Sequence, residues 1–274
     1  MARPKVDFPP VRACIFDLDG LLINTEDIIT QSINELLTKY NRPTFTRALR
    51  AQLMGVPDST SGDAFHSWAR LPISREEFAR ESREHMRFHF PRCEPLRGAE
   101  ELLAALGRAG NTELALASTT KSESFNLKVA RPETRRLLAR ILPSRRVLGD
   151  VPRVGGRGKG KPAPDLYLLA LEIVNSELET SGRKPIRPDE CLVFEDSVIG
   201  VEAGRRAGMR VIWVPHPDVA LEYQGREGEV LAGRIGIVEV GDDWQLGEVD
   251  DGWAETIPSL EHFDYQKYGI DVPP

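Results

Sequence analysis

Apolar and polar positions alternate along this chain in blocks of two periods. Short runs that are apolar at nearly every position and then stop abruptly read as buried strands of a parallel sheet. These are the Val11–Gly20 stretch through Ala13, Cys14, Ile15 and Phe16, then Glu113–Ala117, Cys191–Phe194 and Arg210–Val214, with a shorter one at Arg145–Leu148. Between them apolar residues recur at helical spacing: from Glu26 to about Tyr40, at Ala99–Arg108, Asp165–Val174 and Val198–Ala207. Three more helical patterns, Thr46–Met54, Ser61–Arg70 and Ser74–Phe88, follow the first without an intervening strand. Ser74 and Glu77 have capping-box spacing. The pattern predicts an α/β chain: a Rossmann-like parallel sheet core, residues 1–24 and 93–274, interrupted by an all-helical insertion over 25–92. Beyond Pro215 the pattern weakens. Residues 218–255 are acidic and Gly-rich and read as a peripheral hairpin or a partly mobile segment, with a strand at Arg234–Val240.

The strand ends carry the chemistry. Ligands of open parallel sheets sit beyond the carboxyl ends of the strands, and the first run stops there at Asp17, Asp19 and Gly20. With ordinary pKa values near ~3.9 the two acids repel unless a cation separates them. Mg²⁺ is the natural choice, because it accepts carboxylates and keeps phosphate and water as further ligands. An Asp held beside it can attack phosphorus. The plain alternative is a strand end with an Asx turn. Ser118 closes the second run, and its hydroxyl with the following amides offers phosphate a seat where a helix opens at Thr119–Ser124. A simple N-cap is the plain alternative. Lys161, in GGRGKGKPAPD, can neutralise a phosphoryl group. Gly155, Gly160 and Lys161 also fit the start of a P-loop, but Pro162 stands where its metal-binding Ser or Thr belongs and has no N–H to offer. A flexible basic loop is the other reading of Arg157, Lys159 and Lys161. Glu195 and Asp196 supply a second acidic corner, or merely cap the next helix.

Composition narrows the class. A net charge of −6 and a 28% charged content suit a soluble protein and argue against a general nucleic-acid binder. Cys14, Cys93 and Cys191 lack metal-ligand spacing, and Cys14 and Cys191 lie in apolar runs, so buried thiols in a reducing, cytoplasmic compartment are expected. MARPKVDFPP has no apolar signal region, and no run is long enough to span a membrane. His66, Trp68, His85 and His89 fall on the inserted helices, where such residues are more often core or surface than ligands.

Together, Asp17-Leu-Asp19-Gly20, Ser118, Lys161 with Pro162-Ala-Pro164-Asp165, and Glu195-Asp196-Ser197 resemble the four motifs of the haloacid dehalogenase superfamily. Gly200-Val-Glu-Ala-Gly204 and Ala207-Gly208-Met209 resemble its phosphoglucomutase-like branch. Leu53-Met54-Gly55, the Ala115–Lys128 stretch, Val147–Asp150 and Cys191–Asp196 are similar to its pseudouridine-5′-phosphatases. The resemblance covers most of 11–216. It implies a phosphatase with Asp17 as nucleophile and Asp19 as acid and base. Ser118, Thr119 and Lys161 would hold phosphate; Asp17, the Asp19 carbonyl, Asp196 and Glu195 would bind Mg²⁺; and the helical insertion would be a cap. The substrate would be a small phosphate ester such as pseudouridine 5′-phosphate, with sugar or glycerol phosphates as alternatives and a monomer expected. A sugar-phosphate mutase on the same core and a catalytically silent binding protein are the rival readings. Asn24 departs from the branch, which has Asp in that linker.

Overall fold

The computed structural model describes residues 7–54, 65–151, 160–238, 240 and 243–273. Its elements run β1 (Ala13–Phe16), α1 (Thr25–Lys39), α2 (Arg47–Leu53), α3 (Arg75–His89), α4 (Ala99–Arg108), β2 (Glu113–Ala117), α5 (Ser122–Lys128), α6 (Pro132–Leu138), β3 (Arg146–Val147), α7 (Asp165–Thr180), β4 (Cys191–Glu195), α8 (Val198–Arg206), β5 (Arg210–Trp213), α9 (Pro217–Glu222), α10 (Glu227–Leu231) and β6 (Ala254–Thr256). A further helical stretch covers 65–69. The expected Ser61–Arg70 helix falls partly, and Gly155, Arg157 and Lys159 fall wholly, outside the described residues.

All six strands are parallel, in the order β3-β2-β1-β4-β5-β6. Both faces of the sheet are covered, and the period of two divides each strand between them. Cys14, Phe16, Leu116 and Phe194 belong to one apolar cluster; Ala13, Ile15, Ala117 and Val193 belong to the other. The register sets the site. Phe16 pairs with Leu116 on one side and with Phe194 on the other, so Asp17 emerges beside Ala117–Ser118 and Glu195. Phe16 and Phe194 stack with ring centroids 4.7 Å apart.

Helices α1 to α3 lie between β1 and β2 in the chain and have a core of their own, built on Leu36, Leu37, Phe65, Ala69 and Phe78. The chain leaves for them and returns through two short segments bridged at Ile23 and Pro95. Asn24 pins the crossing: its N–H donates to the Glu94 carbonyl at 3.1 Å and its side chain accepts from the Glu94 N–H at 2.8 Å. Asn24 is the N-cap residue of α1, with Thr25 inside the helix, and its side chain, engaged with Glu94, makes no capping bond. Thr46 and Ser74 cap α2 and α3.

The expectation beyond Pro215 is corrected. Residues 217–222 and 227–231 form α9 and α10, and the last strand is β6, not Arg234–Val240. Gly236 has a left-handed φ of +68°, which breaks an extended run, and Glu239 lies outside the described residues. The tail then crosses the core. Phe263 packs on Phe194 with centroids 5.0 Å apart, and the Tyr268 carbonyl accepts from the Val11 N–H at 2.9 Å. No helix among the described residues is long and apolar enough to cross a membrane, and the three cysteines are buried and unpaired.

Candidate active site

The turn after β1 folds back on itself, with Leu22 N–H on the Leu18 carbonyl at 3.1 Å. Asp17 and Asp19 therefore both stand at the carboxyl end of β1. Gly20 makes this possible: its φ is +79°, and a Cβ there would lie 2.1 Å from Asp196 Oδ2. That close approach brings the β1 and β4 ends together.

Asp17 is buried and accepts from the Lys161 ammonium, which also donates to Glu195 Oε1 at 2.5 Å. Glu195 is fully committed. Tyr167 Oη donates to the same oxygen at 2.6 Å, and the Ser197 amide and hydroxyl donate to Oε2 at 3.1 and 3.0 Å. A Cβ on Gly200 would lie 1.9 Å from this carboxyl, so the glycine leaves it room. Asp196 is buried beside it, with its carbonyl accepting from Trp213 Nε1 at 2.9 Å.

Asp19 turns the other way. It accepts from Lys128 Nζ at 2.6 Å, from Thr120 Oγ1, and from Ser118 Oγ at 3.4 Å. Lys128 also donates to Thr120 Oγ1 at 2.8 Å and sits 4.7 Å from the Phe90 ring centroid. Thr119 is exposed at the same turn. The helix start expected to attract an anion is already taken: Asp150 accepts from the Ser122 amide at 3.1 Å and from its hydroxyl at 2.9 Å. The Lys161–Pro162 peptide is cis.

Lys128, Thr120, Tyr167 and Glu26 join the site without standing at a strand end or in one of the four motifs. Lys128 closes a short polar helix and looks like surface; it is buried by Phe90 and Asp19, which come from distant segments. Tyr167, two residues after Asp165, lies on the inward face of α7, which its helical spacing does signal.

The electrostatics are those of a cation-seeking pocket. Burial pushes the Asp17 carboxyl up to about 7, against the pull of Lys161. Burial, and then Asp19, push Glu26 up to about 8. Burial, Glu195 and Asp17 hold Asp196 well above the usual carboxylate range. Burial would raise Asp19 too, but Lys128 and Thr120 hold it below its ordinary value. The carboxylates of Asp17, Asp19, Glu26, Glu195 and Asp196 thus share Lys161 and Lys128. An excess of hard, buried oxygen ligands of this kind fits a divalent cation such as Mg²⁺.

A family model described as haloacid dehalogenase-like hydrolase matches residues 14–214. The chain belongs to that family. This hydrolase is 34% identical over 260 residues to a probable pseudouridine-5′-phosphatase of Saccharomyces cerevisiae, covering 95% of this chain and 98% of that protein. It is 34% identical over 239 residues to (DL)-glycerol-3-phosphatase 1, mitochondrial, of Arabidopsis thaliana, covering 86% and 74%. Its fold matches CbbY from Rhodobacter sphaeroides, solved with phosphate, at a TM-score of 0.59 and 20% identity over 92% of this chain and 96% of that one. The hydrolase is a phosphatase.

Proposed function

We propose that this phosphatase is an Mg²⁺-dependent phosphomonoester hydrolase that works through an aspartyl-phosphate on Asp17. The observation that carries the reading is the pairing of Asp17 with Lys161, beside Asp196 and at the ends of adjacent parallel strands. Asp17 Oδ attacks phosphorus and the ester P–O bond breaks. Asp19 gives a proton to the departing oxygen, then takes one from the water that releases inorganic phosphate and restores the Asp17 carboxylate. To do so it must exchange Lys128 for the ester oxygen. Ser118, the Thr119 turn and Lys161 hold the phosphoryl oxygens. The Asp17 and Asp196 carboxylates and the Asp19 carbonyl would hold Mg²⁺, which when bound neutralises charge on the phosphoryl group. Glu195, committed to Lys161, Tyr167 and Ser197, serves to position that lysine rather than as a ligand. Residues 25–92 act as a cap that covers the site and selects the substrate.

The substrate is a small phosphorylated metabolite. The similarity to the yeast and plant proteins favours a nucleotide such as pseudouridine 5′-phosphate, with glycerol or sugar phosphates as alternatives. The test is phosphate release from a panel of these monoesters with Mg²⁺, ranked by kcat/KM, for the wild type and for Asp17→Asn. The reading expects Asp17→Asn to lose on the order of 10⁴-fold or more. Wild-type turnover by that variant would refute it, and isomerised sugar phosphate in place of free phosphate would turn it into a mutase.

A further inference from the structure

We propose that Glu35, His85 and His89 form a second metal site, of the zinc type, which ties α1 to α3 on the helical insertion. His85 and His89 are one turn apart on α3, so both imidazoles face the same side. Glu35 on α1 comes between them. Its Oε2 lies 2.8 Å from His89 Nε2 and 3.5 Å from His85 Nδ1, and one ligand atom from each residue lies within 4.8 Å of the others. Ligand atoms around a tetrahedral Zn²⁺ with bonds of ~2.0–2.1 Å stand about 3.3 Å apart. The three groups meet that spacing with small side-chain adjustments. Among the described residues this is the group of three His, Cys or acidic side chains whose ligand atoms all lie within 4.8 Å of one another.

The ligand set chooses the ion. Two imidazoles and one carboxylate suit Zn²⁺, with water in the fourth position, rather than Mg²⁺, which prefers oxygen. This separates the site from the Asp17 centre, whose side-chain ligands are carboxylates. An ordinary hydrogen-bonded pair would need His89 alone. Here a second imidazole turns to the same carboxylate oxygen. His89 is buried and its Nδ1 has no hydrogen-bond partner, so the ring is hydrogen-bonded through the nitrogen that faces Glu35. Gln31 Nε2 donates to the other Glu35 oxygen at 2.9 Å, orienting the carboxylate from behind as supporting residues of metal sites do. Glu35 also borders an open groove of about 600 Å³ along α1, which gives an ion a way in from solvent. Lys39 and Glu81, 2.8 Å apart, join the same two helices further along, so the metal would supply a second tie between them.

The experiment uses the full chain stripped with chelator. Zn²⁺ is then titrated by equilibrium dialysis in millimolar Mg²⁺, which occupies the oxygen-rich centre. Histidine side-chain resonances are followed in parallel by NMR. Glu35→Gln and His85→Ala, both at solvent-accessible positions, are the variants that keep the fold, and His89→Gln is the third. The wild type is expected to bind one Zn²⁺ that each variant binds at least ~10-fold more weakly. The His85 and His89 resonances should move at one equivalent, and Zn²⁺ should raise the melting temperature of the wild type but not of His85→Ala. Equal zinc binding by the wild type, Glu35→Gln and His85→Ala would assign the ion to the Asp17 centre and overturn the proposal. So would unmoved imidazole resonances.

Discussion

Lys128 reaches Asp19 across 109 positions of sequence and donates to its carboxylate at 2.6 Å, beneath the Phe90 ring. The lysine is almost wholly buried, so the pair is little screened by water. It holds Asp19 as a carboxylate while the neighbouring acids are pushed toward protonation. Lys128→Met should therefore raise the Asp19 pKa and, since Asp19 must carry a proton to give to the departing oxygen, shift the alkaline limb of the kcat/KM profile to higher pH. It should lower turnover by about 10²-fold, the low end of the range for disturbing an acid–base group. A profile that stays in place would remove Lys128 from any control of Asp19.

Gly20→Ala tests the join between the β1 turn and Asp196. The added methyl meets Asp196 Oδ2 at 2.1 Å and Glu26 Cγ at 2.8 Å, and the residue must keep φ at +79°. We expect a loss of about 1–3 kcal/mol in urea unfolding. Mg²⁺ activation should shift to higher metal concentration, since Asp196 is displaced. Unchanged Mg²⁺ dependence would mean that Asp196 takes no part in holding the ion.

Asn24 and Glu94 form the crossing between core and insertion. Asn24→Ala removes the acceptor of the Glu94 amide, so that amide should exchange with deuterium faster. Asn24→Asp keeps an acceptor oxygen and should restore protection. Protection unchanged in Asn24→Ala would show that the backbone pair from Asn24 N–H to the Glu94 carbonyl suffices.

The Arg205–Asp251 pair sets an acid limit to stability. Burial alone would raise the Asp251 carboxyl, but hydrogen bonds from Arg205 and the Trp253 amide hold it below its ordinary value. A carboxyl depressed in the fold contributes stability above its unfolded pKa of ~3.9 and loses it as pH falls through the lower folded value. Arg205→Met should then cost about 2 kcal/mol near neutral pH. The gap from wild type should narrow below pH ~3.9, because the unfolded carboxyl is then protonated. An equal gap at both pH values would show that Arg205 acts by packing alone.

The thiols of Cys14, Cys93 and Cys191 should resist a thiol reagent in the native protein and all react in denaturant. Burial raises each of them, Cys93 and Cys191 to about 12 and Cys14 further. Native labelling of Cys14, at the centre of the sheet, would contradict the strand order around β1.

Much of this architecture is legible because buried parallel strands write themselves as unbroken apolar runs. ACIF, ELALA, CLVF and RVIW each mark a strand, and after the first three the polar residue that follows marks the site-facing end. Asp17, Ser118, Glu195 and Asp196 are visible for that reason. Lys161 is visible through its motif rather than through any period. Lys128 and Thr120 are not visible, because their burial is created by Phe90 and Asp19, and no window of sequence holds those partners together. β6 is hidden for the opposite reason. It is a three-residue edge strand, Ala-Glu-Thr, half exposed and without an apolar run.

The tail that carries β6 also bears on how the chain comes off the ribosome. The acidic and basic groups around Asp17 have all been translated by Asp196, yet Val11, beside the first strand, takes its backbone partner from Tyr268. Phe194 likewise waits for Phe263. A nascent chain therefore carries the acidic and basic groups of the candidate site through some 70 further additions before the scaffold beneath them is sealed. Translation that stops short of Ala254 leaves β5 without its outer neighbour. Such a fragment would hold the candidate site's side chains but lack the last braces of the sheet.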